Sequence, residues 1–322
     1  MLGCVVHSLG TKVTIVGAGS VGATSAYACQ IRGVAHTLAI YDIDGAKTRA
    51  EVLDLNHGAA FVPRSEVIGS DEADITAGSD VVVITAGAKQ KPGQSRLDLA
   101  GANVRMMQSL MPQLVDRSPD AVFVVVTNPC DVVTMAAQQF SGLPPGRVFG
   151  SGTVLDSARF RFLLAQHIGV SPSNVHAYIA GEHGDSEIAL WSSANVGAVP
   201  LKDWNPPGRP PIDEDARREI LHNTVTAAYD IIQGKGATWY AVGLAVARIV
   251  EAVLRHEDRV LSVSSLLKDY HGITGVCLSV PSIVNKQGVV ANLTVPLSAH
   301  EVDGLRRSAA QVAEIAASVG LG

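Results

Sequence analysis

The chain has 322 residues, of which 47% are hydrophobic and 17% are charged, and its formal net charge is -5. This length suggests about two domains, with enough apolar material for a large core. The negative charge gives no reason to expect nucleic acid or an anionic membrane as a partner.

The cysteines and the N-terminus indicate a cytoplasmic protein. Cys4, Cys29, Cys130 and Cys277 are scattered and form no close CxxC pair. This distribution favours buried thiols in a reducing compartment over a disulfide framework or a zinc site, and we expect no metal. No apolar run approaches the ~18–20 residues needed to span a bilayer. The start, MLGCVVHSLG, lacks the basic region and cleavage site of a signal peptide.

The first elements of the chain follow the pattern of a dinucleotide-binding turn. A β-branched run over residues 12–16 leads into GAGSVG, a small-residue helical pattern follows, and an apolar run over residues 38–41 ends in Asp42. A glycine-rich turn that serves packing alone would not need the second strand and its terminal acid. This context therefore predicts an NAD site rather than a structural turn.

Each glycine of this turn has a physical role in such a site. Gly17 permits the tight turn, Gly19 lets the backbone approach a pyrophosphate, and Gly22 allows the helix to pack closely on the strand. The helix N-terminus then points its free amides at the phosphates. Asp42 lies 20 residues after Gly22, where a carboxylate can accept the ribose hydroxyls of NAD and would repel the 2′-phosphate of NADP.

Further strands and helices alternate up to about residue 152. Helical patterns cover residues 46–57, 97–115 and 132–140, and continuous apolar runs cover residues 81–85, 122–127 and 147–149. Continuous runs suit strands that are buried on both faces. The alternation predicts an α/β fold with a doubly wound parallel sheet of the Rossmann type. Ligands of such a sheet bind beyond the carboxyl ends of its strands, where Gly17, Asp42, Gly87 and Asn128 fall.

The pattern changes after residue 152, and we expect an α+β substrate domain over residues 153–322 that follows an NAD-binding domain over residues 1–152. Helices are predicted at residues 154–168, 213–233, 239–256 and 298–318. Strand-like segments cover parts of residues 175–194, then residues 259–267 and 276–284, and a proline-rich loop covers residues 204–211.

Four short stretches carry candidate chemistry: KQKPGQSR at residues 89–96, TNP at 127–129, LDSAR at 155–159 and GEHGD at 181–185. The first reads either as a mobile lid over an anion or as an ordinary solvated basic loop. Asp156 and Arg159 share one helix face through their i, i+3 spacing, which also suits a simple ion pair. His183 lies between glycines in a turn, where a core histidine is not expected.

Taken together, these stretches resemble the lactate/malate dehydrogenases over essentially the whole chain. The motifs that carry the resemblance are GAGSVG, ITAGAKQKPGQSRLDL, TNP, GSGTVLDSARFR, GEHGDSE and KGATWYAVG, which stand in the order and spacing of the family. The resemblance implies reversible hydride transfer between NADH and a 2-keto acid. It also implies a cis bond between Asn128 and Pro129.

The resemblance assigns the central roles as follows. His183 would donate and accept the proton, since its ordinary pKa of roughly 6.5 serves both directions near neutrality. Asp156 would fix the imidazole tautomer and stabilise the imidazolium. Arg159 would clamp the substrate carboxylate through two parallel hydrogen bonds. Arg96 would polarise the carbonyl as the lid closes, and Asn128 would hydrogen-bond near the same oxygen.

The other site residues also follow from the resemblance. Thr238 would line the substrate pocket, and Val242 would press on the nicotinamide. Lys89 stands where the family often has an arginine on the pyrophosphate. The complete cofactor-binding set is Gly17, Gly19, Val21, Gly22, Asp42, Lys47, Gly87, Ala88, Lys89, Thr127, Asn128 and Val242.

Substrate choice would rest on Gln90, because the matching residue of the family reads the substrate side chain. An arginine there would pair with the second carboxylate of oxaloacetate and give a malate dehydrogenase. Gln90 is neutral, so a dicarboxylate would bury an uncompensated charge, and pyruvate and L-lactate fit better. Malate dehydrogenase, another 2-hydroxy acid dehydrogenase, an NAD-dependent glycosidase and a non-catalytic relative of the fold are the alternatives.

A second ligand site is suggested by Arg161 and His176. Arg161 is two residues, about 200° of helical turn, from Arg159 and cannot share its face. Both positions resemble those with which many bacterial lactate dehydrogenases bind fructose 1,6-bisphosphate between subunits. The alternative is a surface arginine and a strand histidine with local partners. With this effector we expect a homo-oligomer, a tetramer in the family's manner.

The substitution Gln90→Arg tests the specificity position. We expect it to raise kcat/KM for oxaloacetate relative to pyruvate, because the new guanidinium would neutralise the second carboxylate. Steady-state kinetics with both substrates gives this ratio. An unchanged ratio would remove Gln90 as the specificity residue.

Overall fold

The computed structural model describes residues 10–88 and 96–321. The first half forms six parallel strands, side by side in the order β6-β5-β4-β1-β2-β3. These strands are β1 Lys12–Val16, β2 Thr37–Tyr41, β3 Glu66–Ser70, β4 Val81–Ile84, β5 Val122–Val125 and β6 Val148–Gly150. The predicted Rossmann-type sheet is confirmed.

Helices cross between these strands on both faces of the sheet. They are α1 Ser20–Arg32, α2 Gly45–His57, α3 Arg96–Arg117 and α4 Cys130–Ser141. The buried residues of β1, β4 and β5 alternate between two core clusters, one of which includes α3 and α4, and the other α1. The near-continuous apolar runs of these strands are explained by this burial on both sides.

The second half adds helices and short strands to this frame. Its elements are α5 Val154–Ile168, β7 Val175–His176, β8 Ile179–Ala180, β9 Ile188–Ala189, β10 Asn195–Val196, β11 Val199–Pro200, α6 Glu214–Lys235, α7 Tyr240–Leu254, β12 Arg259–Leu266, β13 Cys277–Asn285, β14 Gly288–Asn292 and α8 Ala299–Ser318. Ser298 caps α8 in a capping box with Glu301. The α+β character predicted for this half is confirmed.

The two halves share one sheet and the two core clusters on its faces. Strand β12 lies antiparallel beside β6, and β13 and β14 continue the sheet to nine strands. Helix α7 packs on α1 so closely that a Cβ on Gly243 would lie 2.8 Å from the Thr24 side chain. The division at residue 152 stays a prediction.

Two strands of the nine-stranded sheet were missing from the predicted elements, β3 and β14. Both are edge strands of the sheet. In β3 only Val67 is buried, and in β14 only Gly288 is buried. Neither strand therefore needs the continuous apolar run that marks the inner strands.

Cys29, Cys130 and Cys277 are buried free thiols, as predicted, while Cys4 lies outside the described residues. Within residues 10–88 and 96–321, no helix is both long enough and apolar enough to cross a membrane.

Candidate active site

The glycine-rich turn after β1 has the shape that a dinucleotide needs. Gly17 has a φ of 109°, and a Cβ there would lie 2.7 Å from the Ala86 amide nitrogen. A Cβ on Gly22 would lie 1.8 Å from the Gly17 carbonyl oxygen, whereas nothing lies within 4 Å of a Cβ on Gly19. Gly17 and Gly22 are thus required by packing, and Gly19 faces open space at the N-terminus of α1.

Asp42 lies at the carboxyl end of β2, next to this turn. Its Oδ2 accepts a hydrogen bond from the Ala18 amide at 2.6 Å, and its Oδ1 accepts one from the Asp44 amide at 3.0 Å. The carboxylate is therefore held in place beside the glycine turn. Val21 is half-buried in the first turn of α1, and Lys47 is exposed in the first turn of α2.

The ends of β4 and β5 are tied together by Asn103 of α3, a residue that no motif pointed to. The Asn103 side chain accepts a hydrogen bond from the Ala88 amide at 2.8 Å and donates one to the Asn128 carbonyl at 2.7 Å. Thr127 donates its hydroxyl hydrogen to the Ala86 carbonyl at 2.6 Å. Gly87, Ala88 and Asn128 are exposed.

The bond between Asn128 and Pro129 is cis, as the resemblance implied.

A carboxylate, an imidazole and a guanidinium meet beyond these strand ends. Asp156 and Arg159 lie in the first two turns of α5, and His183 lies in the turn between β8 and β9. His183 Nδ1 is 2.6 Å from Asp156 Oδ2, and Arg159 Nη1 is 2.6 Å from Asp156 Oδ1. The Asp156 side chain is 2% exposed, against 28% for His183 and 14% for Arg159. One buried acid thus orients two partly accessible cationic groups.

The pKa values of this group follow from the close packing of its charges. The Asp156 carboxylate raises the pKa of His183 to about 9, although burial opposes the shift. For Asp156 itself, burial opposes ionisation, but the charges of His183 and Arg159 outweigh it and lower the pKa of the carboxyl. Because Asp156 is ionised and only accepts, the proton between the two groups is on Nδ1, and Nε2 takes no part in this hydrogen bond.

Glu187, the last residue of GEHGDSE, is a second carboxyl beside this group, and no role was predicted for it. Asp156, His183 and Glu187 each bring a ligand-type atom within 4.8 Å of the others. Burial raises the pKa of Glu187 to about 9, and the negative charge of Asp156 adds to the shift. A metal ion would need both carboxylates ionised and would compete with the Nδ1 proton, so the present hydrogen bonding suits proton transfer better.

The substrate-pocket and nicotinamide candidates lie around the start of α7. Thr238 is half-buried in the link between α6 and α7. Val242 is half-buried in the first turn of α7 and packs on the core cluster that includes α1. Their predicted contacts with ligands stay predictions.

Arg161 lies on α5, and His176 lies on β7. Arg161 Nε donates to the Ala177 carbonyl at 2.7 Å, and its guanidinium lies 4.7 Å from the centroid of the Tyr178 ring. His176 is exposed on β7, directly before Ala177. Arg161 therefore contacts the two residues that follow His176 in the chain. These are local partners, as the alternative interpretation anticipated.

Three predicted site residues fall in or next to the undescribed stretch. Lys89 and Gln90 lie outside the described residues. Arg96 is the first residue of α3, and its side chain is outside the described part.

Comparisons with known proteins match this architecture on both halves. The family model for the lactate/malate dehydrogenase NAD binding domain matches residues 11–150, and that for the lactate/malate dehydrogenase alpha/beta C-terminal domain matches residues 153–319. The fold and the dinucleotide turn define an NAD-dependent oxidoreductase. The chain belongs to the lactate/malate dehydrogenase family.

Individual relatives cover nearly the whole chain. An L-lactate dehydrogenase of Bifidobacterium animalis subsp. lactis is 52% identical over 311 residues, which are 96% of this chain and 97% of the relative. One of Thermoanaerobacter sp. is 47% identical over 298 residues, 92% of this chain and 96% of the relative. The crystal structure of a lactate dehydrogenase from a Medee basin deep-sea metagenome library has a TM-score of 0.92 at 37% identity, covering 96% of this chain and 98% of that one.

The substitution Asp156→Asn tests the electrostatic coupling in this site. We expect the pKa of His183 to fall from about 9 towards or below its ordinary value, because the carboxylate charge is lost and burial remains. The imidazole carbon shifts of labelled histidine, followed against pH by NMR, report this pKa. The His183 signal is identified by its absence in His183→Gln.

The matched control for this experiment is Asp303→Asn, which removes an exposed acid on α8. It should leave the His183 titration unchanged. Equal titration curves in Asp156→Asn and the parent chain would contradict the coupling.

Proposed function

We propose that the chain is an L-lactate dehydrogenase that interconverts pyruvate and L-lactate with NAD. The observation that carries this proposal is the Asp156 carboxylate, which is hydrogen-bonded to both His183 and Arg159 at 2.6 Å. Reduction of a 2-keto acid requires a proton donor for its carbonyl oxygen and a cation for its carboxylate, and an imidazole and a guanidinium can supply these. The names of relatives at 52% and 47% identity support the choice of substrate.

The residues would divide the reaction between them. NADH, when bound, would supply the hydride that the carbonyl carbon receives. Arg159 uses one nitrogen on Asp156, and its fork keeps further donors for the substrate carboxylate. His183, protonated below a pKa of about 9, gives the Nε2 proton to the carbonyl oxygen as negative charge builds there. Asp156 stabilises the imidazolium before this transfer and holds the ring in orientation during it.

Other residues would bind the cofactor and the substrate. Gly19 and the N-terminus of α1 would hold the pyrophosphate, and Asp42 would bind the adenosine ribose. Asn128 and Arg96 would polarise the substrate oxygen, with Thr238 and Val242 against the substrate and the nicotinamide. We assign residues 1–152 to the cofactor domain and residues 153–322 to the substrate domain.

In the cell, this reaction would reoxidise NADH at the end of glycolysis by pyruvate fermentation in the cytoplasm. Malate dehydrogenase is the second candidate, because the matching family models bear both names. The neutral Gln90 disfavours it.

The loss of NADH absorbance on mixing with pyruvate, and separately with oxaloacetate, tests the proposed activity. We expect a higher kcat/KM for pyruvate, and a loss of several orders of magnitude in His183→Gln because the proton donor is gone. A preference for oxaloacetate would make the chain a malate dehydrogenase. Turnover of neither substrate would reject hydride transfer to small 2-keto acids.

We further propose that fructose 1,6-bisphosphate binds at Arg161 and His176 and favours a homotetramer with a lower KM for pyruvate. Two basic side chains on adjoining segments, one of them exposed, support an anion site. If copies of the chain meet there, the bisphosphate would neutralise cations from two subunits and strengthen their association.

Pyruvate kinetics and sedimentation with and without the bisphosphate test this regulation. We expect a lower KM and a larger assembly with the effector, and a loss of both responses in Arg161→Gln. Arg218→Gln, which removes an exposed arginine of α6 that pairs with Asp215, should respond like the parent. Kinetics that millimolar bisphosphate leaves unchanged at several pH values would count decisively against the proposal.

A further inference from the structure

Asp131 is a buried carboxylate that links the His183 turn to the sheet. It lies in the first turn of α4 and is 2% exposed. Its Oδ2 accepts a hydrogen bond from the His183 amide at 2.8 Å, and its Oδ1 accepts one from the Ser264 hydroxyl at 2.6 Å. One side chain of the first half thus contacts the main chain of His183 and strand β12.

The two acids beside His183 hold different parts of that residue. Asp156 is hydrogen-bonded to ring atom Nδ1, and Asp131 is hydrogen-bonded to the backbone amide. A ring that is fixed only at Nδ1 could still move with its backbone. With both ends held, the direction of Nε2 is determined by two separate elements, α5 and α4.

The position of Asp131 in the chain also relates His183 to Asn128. Asp131 follows the cis Asn128–Pro129 bond by two residues and belongs to the helix that starts there. A shift of α4 relative to the sheet would therefore move Asn128 and the His183 backbone together. This arrangement preserves the distance between Asn128 and His183, the two residues proposed to contact the same substrate oxygen.

We propose that Asp131 is a positioning residue that holds the His183 main chain in the geometry required for proton transfer to the substrate oxygen. This inference rests on the proposed function of His183. Asp131 itself has no contact with substrate in this scheme and acts through the histidine.

The charge of Asp131 distinguishes this role from simple packing. Burial raises the pKa of Asp131 to about 6, while hydrogen bonds from Ser264 and His183 oppose the rise. The ionisable groups around it are His183 and Glu182 of the turn, Cys130 beside it on α4, and Cys277 of β13. Above about pH 6 the ionised carboxylate favours the protonated form of His183, as Asp156 does more strongly.

The variants Asp131→Ala and Asp131→Asn separate geometry from charge. Alanine removes the acceptor for the His183 amide. We expect kcat for pyruvate reduction to fall about 100-fold, because a small misplacement of a reacting group has an effect of this size. Asparagine keeps an acceptor oxygen of the same shape, and we expect it to restore kcat to within about tenfold of the parent. NADH affinity, measured by fluorescence, should change little in either variant.

A pH profile supplies the readout that a merely structural role would not alter. In Asp131→Asn the lost negative charge should shift the alkaline fall of pyruvate reduction to lower pH, because His183 then loses its proton more readily. This measurement needs only the asparagine variant and decides the proposal even when the alanine variant does not fold.

Thr134→Val is the matched control on the same helix. Thr134 is fully buried and donates its hydroxyl hydrogen only one turn back, to the Cys130 carbonyl at 2.7 Å. The control should keep the parent kcat and pH profile. An equal loss of kcat in Thr134→Val and Asp131→Ala, an unchanged kcat in Asp131→Ala, or an unshifted profile in Asp131→Asn would overturn the proposal. A parent chain that does not reduce pyruvate would instead reject the proposed function.

Discussion

The hydrogen bonds of the Asp156 carboxylate are the constraint on which the site depends. A carboxyl that is 2% exposed can stay ionised because cationic partners occupy both of its oxygens at 2.6 Å. Those partners are in turn fixed by the acid, and both side chains remain partly exposed. Removing either partner would leave the buried carboxylate with a single cation and one unpaired oxygen, which disfavours its ionised form. The three residues therefore act as one unit.

The sheet brings this unit to the dinucleotide turn. Gly17, Asp42, Ala88 and Asn128 all follow the carboxyl ends of parallel strands, and such ends meet at one edge. Asn103 fixes two of these loops to each other at 2.8 Å and 2.7 Å. The turn that carries His183 is attached to the same edge. The His183 turn and the first half of the chain are thus joined by the hydrogen bond from the His183 amide to Asp131 of α4.

Local sequence patterns predicted the inner strands, the long helices and the Asp156–Arg159 pair, because each depends on residues close in the chain. Asn103 and Asp131 could not be found in this way, and Glu187 lies within GEHGDSE without a predicted role. Asp131 reads as an ordinary acid in the first turn of a helix, and its role depends on His183, 52 residues away. The partners of a buried polar side chain are determined by tertiary packing, for which a single sequence gives no periodic signal.

Because the sheet continues past β6, residues 11–150 could not easily be fused to an unrelated second domain. Without the later residues, the edge of β6 would expose unpaired backbone groups. The apolar surface of α1 that α7 covers would also become exposed to water. Recombination with a different partner would have to supply both a strand and a helix of matching shape. The nucleotide-binding half of this chain therefore depends on the later residues to cover its sheet edge and its apolar helix surface.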